Sequence, residues 1–146
     1  MIRILLPVDD SPESSQAVAT FAQRLGWYRD KPEVHLLNVQ TPLRGDIARF
    51  LKPDLIEQYH REEGVKAVDA QKHQLAAAGL DVHTDVRVGN AAEVIVGLAK
   101  ELQCDQIVMG SRGLGSAGGW FLGSTVTGGL HQSTVPLLVP RCSFRR

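Results

Sequence analysis

Residues Gln106 to Thr125 read QIVMGSRGLGSAGGWFLGST. The first four, Gln106–Met109, have the near-continuous apolar character of a strand covered on both faces. The sixteen that follow, Gly110–Thr125, include six glycines and no acid. Glycines let main-chain N–H groups approach an anion with no Cβ in the way. At Gly123-Ser124 the pattern predicts a helix start, whose free N–H groups and dipole favour negative charge. Ser124 and Thr125 add hydroxyl donors. A strand that runs through such a loop into a helix is one half of an α/β unit with a phosphate site at its turn.

Three phosphate signatures overlay this stretch. Gly113-Leu-Gly115-Ser-Ala-Gly118 satisfies G-x-G-x-x-G, but that fingerprint belongs after a first strand and needs an acid about 20 residues on. Here no Asp or Glu follows Asp105. Gly118 to Thr125 resembles a P-loop without its lysine, and no lysine occurs after Lys100, so the charge that motif depends on is missing. The third reading is Gly110-x-x-Gly113, nine residues, then Gly123-Ser124.

Outward from the loop, four more strand-like segments precede or follow it. Ile2–Val8 and Val34–Val39 are apolar runs; Val135–Val139 is the last. Val82–Val88 alternates, with Val82, Thr84, Val86 and Val88 on one side, which suits an edge strand. Helical patterns separate them. Ser11-Pro12-Glu13 offers an N-cap hydroxyl, a proline at the first helical position and an acid in the first turn, followed by Ala17, Val18, Phe21, Ala22 and Leu25. Asp54–Ala77 forms a second, with Ile56, Tyr59, Ala67, Ala70 and Ala77 sharing a face that Glu63 interrupts. Asn90 and Glu93 make a capping-box-like start for a third, with Ala91, Val94, Ile95, Leu98 and Ala99 as its buried face. The fourth opens at Gly123-Ser124 and carries Val126 and Leu130. Strands alternating with helices imply right-handed crossovers and a mostly parallel open sheet. Thr41–Pro53 is the one long connection, read as a tolerated insertion ahead of a lid.

The 146 residues carry no net formal charge, which argues against a general nucleic-acid binder. The balance is uneven: the stretch after Asp105 holds Arg112, Arg141, Arg145 and Arg146 and is +4, against −4 before it. An anion site is expected in the C-terminal part. Cys104 and Cys142 lack metal-ligand spacing and read as reduced thiols. No run reaches the roughly 20 apolar residues of a membrane span, and two aspartates follow MIRILLPV too closely for a signal peptide. The expectation is one cytoplasmic domain, residues 1–146.

The third loop reading, G-2x-G-9x-G-[S/T], resembles the nucleotide-binding pattern of the universal stress protein (UspA-like) family, ATP-binding subgroup. IRILLPVDDS resembles that family's first strand and its aspartate, VHLLNV the second strand, VGNAAEVIVGLAKELQCDQIVMGSRG the third helix and fourth strand, and GSTVTGGLHQSTVPLLVPR the closing helix and strand. The resemblance implies a five-stranded open parallel sheet, order 3-2-1-4-5, with helices on both faces, as in adenine nucleotide alpha-hydrolase-like folds. Strands one and four are then central, and the crevice beyond their carboxyl ends is where open α/β sheets bind ligands. It implies ATP as ligand, with Mg²⁺ held through the phosphates. Pro7, Val8 and Asp9 would meet the nucleoside, Val39 would offer main-chain groups to the adenine, and Met109 would pack against the base or ribose. Gly110, Arg112, Gly113, Gly123, Ser124, Thr125 and Val126 would hold the phosphates. Two departures matter: the spacer LGSAGGWFL has no basic residue, and Asp10 stands where glycine is frequent.

No catalytic constellation is recognisable among His35, His60, His73, His83 and His131, which read as solvated or structural, and no cluster has zinc spacing. The reading is a nucleotide-dependent regulatory or sensing module of the stress response. The alternatives are a UspA-like dimeric interaction module that has lost its nucleotide and a slow ATP hydrolase. Family members commonly pair the last strand across a two-fold axis, and the apolar Pro136–Pro140 edge makes a homodimer the simplest closed solution.

Overall fold

The computed structural model describes residues 1–43, 45–110, 131 and 133–140. Five strands form one all-parallel sheet in the order β3-β2-β1-β4-β5. They are β1 (Arg3–Pro7), β2 (Glu33–Gln40), β3 (Asp81–Val88), β4 (Gln106–Val108) and β5 (Leu137–Leu138). Among the described residues the α-helices are α1 (Pro12–Gln23), the single turn α2 (Gly45–Ala48) inside the long connection, α3 (Pro53–Ala77) and α4 (Ala91–Glu101).

The sheet order follows from which strands are covered. Of the ten residues that β1 and β2 set in direct register, Ile4, Leu5, Leu6, Val34, Leu36 and Leu37 are fully buried. The alternating β3 pairs with β2 alone and takes the edge. Two cores flank the sheet. On one face Val18 and Phe21 of α1 and Val68 and Leu75 of α3 pack on Ile4, Leu6, Val34 and Leu36. On the other, Ile95, Leu98 and Ala99 of α4 pack on Leu5, Leu37, Val39, Ile107 and Met109.

The helix starts match their sequence signals. The Ser11 hydroxyl accepts from the Ser14 N–H at 3.0 Å with Pro12 in the first turn, and Asn90 Oδ1 accepts from the Glu93 N–H at 3.1 Å. Each cap is worth about 1 kcal/mol. α3 stops where Gly79 turns left-handed (φ +84°): the Leu80 N–H bonds back to Leu75 O and the Gly79 N–H to Ala76 O. That is the Schellman arrangement, with Leu80 and Leu75 in apolar contact beneath it.

The inward stripe of α3 differs from the sequence expectation. His60, Gly64, Ala67, Val68, Gln71 and Leu75 face the sheet, whereas Tyr59, Ala70 and Ala77 are exposed. Two polar side chains and a glycine occupy buried positions, which hides the true face from a hydrophobic count. Gln71 Nε2 donates to the Ser15 hydroxyl at 3.1 Å, tying α3 to α1.

Gly64 is there for close approach. A Cβ at this position would lie 2.3 Å from Val86 Cγ1 and 2.9 Å from its Cβ. Helix propensity alone would make Gly64→Ala stabilising by about 1 kcal/mol. Because the stiff valine on β3 cannot yield, overpacking should dominate and cost about 1–3 kcal/mol. Urea unfolding of the variant checks the sign: a midpoint above the parent's would contradict the packing.

Candidate functional site

The sheet offers a cleft because β2 outruns its neighbour. The β1–β2 ladder ends at Pro7↔Leu37, while the β2–β3 ladder continues to Gln40↔Val88. Main-chain groups of a parallel strand alternate in direction. Odd-numbered residues of β2 face β1: the Glu33 N–H donates to Ile2 O at 2.8 Å, and Leu37 O accepts from the Val8 N–H at 2.8 Å. Gln40, of the even set, accepts from the Gly89 N–H beside β3 at 3.0 Å. Val39 continues the odd series beyond the end of β1, so its N–H and C=O face the space that β1 has vacated. That space is a cleft of about 340 Å³.

Asp9 stands at its rim, 7% exposed, where the chain turns from β1 into α1. The turn holds itself together. The Ser11 N–H donates to Asp9 Oδ1 at 2.9 Å, the Ser11 hydroxyl donates to the same oxygen, and the Asp9 N–H donates to Ser14 Oγ at 2.9 Å. These bonds fix the orientation of the carboxylate. Below it, buried Asn38 donates from Nδ2 to Val8 O at 2.9 Å and accepts from Gln40 Nε2 at 2.5 Å. The cleft floor is thus a set of paired amides, and its orientation is imposed by strand ends rather than by loops.

The expected site residues fall into three groups. Asp9 and Val39 share the cleft, and Pro7 and Val8 form the strand end beneath Asp9. Met109 and Gly110 are buried at the carboxyl end of β4; Met109 is fully enclosed among Ile95, Leu98 and Val39 and does not line the cleft. Arg112, Gly113, Gly123, Ser124, Thr125 and Val126 lie outside the described residues. Asp10, the departure from the family pattern, is exposed and lines the same cleft as Asp9.

Sequence reasoning missed the contribution of α3. Tyr59, Glu63 and Lys66 line the far wall, with Lys66 Nζ 3.3 Å from Glu63 Oε2. Lys66 supplies a cation close to a site whose loop spacer has none. The signal was present as the interruption at Glu63 of the supposed apolar face: the helix turns polar where it borders the cleft.

Cys104 is packed in the α4-side core, and burial pushes its thiol up to about 11. It is a protonated, small apolar filler at neutral pH. Among the described residues no helix is long and apolar enough to cross a membrane.

Residues 1–141 match the model of the universal stress protein family. A universal stress protein of Mycolicibacterium smegmatis is 30% identical over 141 residues, covering 93% of this chain and 47% of its own length, so the chain spans about half of that relative. Among solved structures, hypothetical protein MJ0577 is 26% identical with a TM-score of 0.77, covering 99% of this chain and 98% of its own. A universal stress protein family protein from Arabidopsis thaliana with AMP bound is 16% identical with a TM-score of 0.67, covering 99% and 94% of the two chains. At that identity the likeness concerns the fold. Strand order, the aspartate closing β1 and the family model's near-full coverage converge: this chain belongs to the universal stress protein family.

Proposed function

We propose that this protein binds ATP in the cleft beyond β1 and β2 and acts as a nucleotide-dependent regulatory module of the stress response. The observation that carries the reading is the convergence of the Asp9 carboxylate and the main chain of Val39 on one 340 Å³ space. A nucleoside needs what they offer: an amide edge for the base and an oriented acceptor for ribose hydroxyls. The Arabidopsis relative's AMP supports an adenine nucleotide as the ligand class.

The triphosphate would extend toward Gly110, Gly113 and the helix start that the sequence predicts at Gly123-Ser124, with Arg112, Thr125 and Val126 beside it. Asp10 and Glu63 bring negative charge to the cleft. Carboxylate oxygens are the donors Mg²⁺ takes, and it binds through one or two of them together with substrate phosphates. The ion would neutralise the phosphates where this chain supplies acids. Lys66 offers the remaining charge. Occupancy rather than hydrolysis is read as the functional variable. We further propose that residues 1–146 act as a single cytoplasmic domain that dimerises through the Pro136–Pro140 edge.

Calorimetry with ATP and Mg²⁺ tests the reading. One site per chain with micromolar to sub-millimolar affinity is expected, and absence of heat at millimolar nucleotide would reject it. The acidic lining favours a second reading, an interaction module that has lost its nucleotide. It predicts no ATP binding together with an unchanged dimer in Gly113→Val.

A further inference from the structure

At the opposite end of the sheet, two histidines and two carboxylates meet across neighbouring strands. Glu33 and His35 are two apart on β2 and so share a face; Asp81 and His83 do the same on β3. The register sets Glu33 against Asp81 and His35 against His83. The imidazoles stack with centroids 4.8 Å apart and planes 15° from parallel. Glu33 straddles both: Oε2 lies 2.7 Å from His35 Nε2 and Oε1 lies 3.9 Å from His83 Nε2. Asp81 Oδ2 is 3.3 Å from the same His83 nitrogen. One ligand atom from each of Glu33, His35 and His83 lies within 4.8 Å of the others.

We infer that Glu33, His35 and His83 form a binding site for a borderline transition ion, Zn²⁺ in the first instance, with Asp81 as fourth ligand. Tetrahedral zinc with bonds of roughly 2.0–2.2 Å places its ligand atoms on the order of 3.3 Å apart. The observed separations of 2.7, 3.3 and 3.9 Å bracket that value. The rings must tilt toward each other, because an imidazole binds metal in its own plane. His83 is free to do so: its side chain is 49% exposed, and it sits on an edge strand. His35 is nearly buried and supplies the fixed ligand. Two imidazole nitrogens with carboxylate oxygen select zinc, nickel or copper over Mg²⁺ and Ca²⁺, which prefer all-oxygen sets.

Charge is compatible as well. Arg3 Nε lies 2.7 Å from Glu33 Oε2, and the Arg3 main-chain N–H donates to Asp105 Oδ2 at 2.8 Å. Arg3 also donates from Nη1 to Leu102 O at 2.8 Å and keeps that anchor if it yields the carboxylate. It is the competitor that metal must displace, so its removal should strengthen binding. This site lies four to six residues up β2 from Val39, on the order of 13–20 Å at the strand rise, and is independent of the nucleotide cleft.

The test is calorimetric titration of tag-free, EDTA-stripped protein with ZnCl₂ in a non-chelating buffer. Cobalt absorption serves as a second readout for tetrahedral nitrogen and oxygen ligation. One zinc per chain is expected, weakened at least tenfold in His83→Ala and strengthened in Arg3→Gln, with ATP binding unchanged in His83→Ala. His83 is exposed, so its variant should fold; His35→Ala is a second arm where it does. Absence of zinc binding, or binding of equal strength in folded His83→Ala, would overturn the assignment. Zinc held instead by thiols would show as intense cobalt charge-transfer absorption and would overturn it too.

Discussion

Asp9→Ala should weaken ATP binding by about 10- to 150-fold. A hydrogen bond to a charged acceptor contributes about 1.5–3 kcal/mol, and each 1.4 kcal/mol is a factor of ten in affinity. The same carboxylate also organises the β1–α1 turn through Ser11, so truncation lowers stability as well as affinity. Two controls separate these effects. Asp9→Asn keeps the volume and an acceptor for the Ser11 N–H but loses the charge, and should still lose most of the affinity. Ser11→Ala removes a turn partner and a helix cap, costing about 1 kcal/mol of stability, with affinity preserved. Calorimetry at 15 °C on variants shown to be folded by circular dichroism reads the result. Undiminished affinity in Asp9→Ala would remove the carboxylate from the site.

Phe21→Ala should be the most damaging single truncation on the α1 side of the sheet. Phe21 is 1% exposed, lies in the cluster with Ile4, Leu6 and Val108, and meets Tyr28 edge-on with centroids 6.1 Å apart. Tyr28 is in turn anchored by its hydroxyl, which donates to Gln106 Oε1 at 2.6 Å, the first residue of β4. Removing the ring deletes transfer energy, leaves a cavity and frees the tyrosine. Such truncations cost about 3–5 kcal/mol. For a chain of this size the melting temperature should fall by roughly 10 °C or more. A loss under 1 kcal/mol in urea would mean that the helix does not pack here as described.

Much of this fold was legible because its signals are local. The apolar runs of β1, β2 and β4 announced strands covered on both sides, and Ser11-Pro12 and Asn90–Glu93 announced helix starts that the structure places there. β3 declared itself an edge by alternation. The order of strands was not readable from periodicity; it came from the resemblance, and the ladder bears it out. Strand ends were overestimated at β5, which spans only Leu137–Leu138, because apolar residues extend beyond the paired segment. The face of α3 was misjudged because His60, Gly64 and Gln71 are buried without being large and apolar.

The candidate cleft divides along the same line. Asp9 and Val39 were identifiable as strand ends in a family pattern. Lys66 and Asn38 were not, since their relevance depends on how far β2 overhangs β1. The Glu33, His35, His83 cluster was likewise invisible to ligand-spacing arithmetic. Its spacing is set by inter-strand register, and only the E-x-H and D-x-H pairs in consecutive strands hint at it. Met109 and Val39 sit in one core cluster, so substitutions at Met109 would disturb packing first.

On the proposed reading, a nucleotide occupies the space above β1 with its base against the overhanging end of β2. A crystal structure of the protein grown with ATP and Mg²⁺ tests this most directly. Adenine is expected within hydrogen-bond distance of the Val39 main chain, with ribose hydroxyls at Asp9 and phosphates directed toward Gly110. A nucleotide bound elsewhere on the molecule, with the Asp9–Val39 cleft filled by side chains, would contradict it.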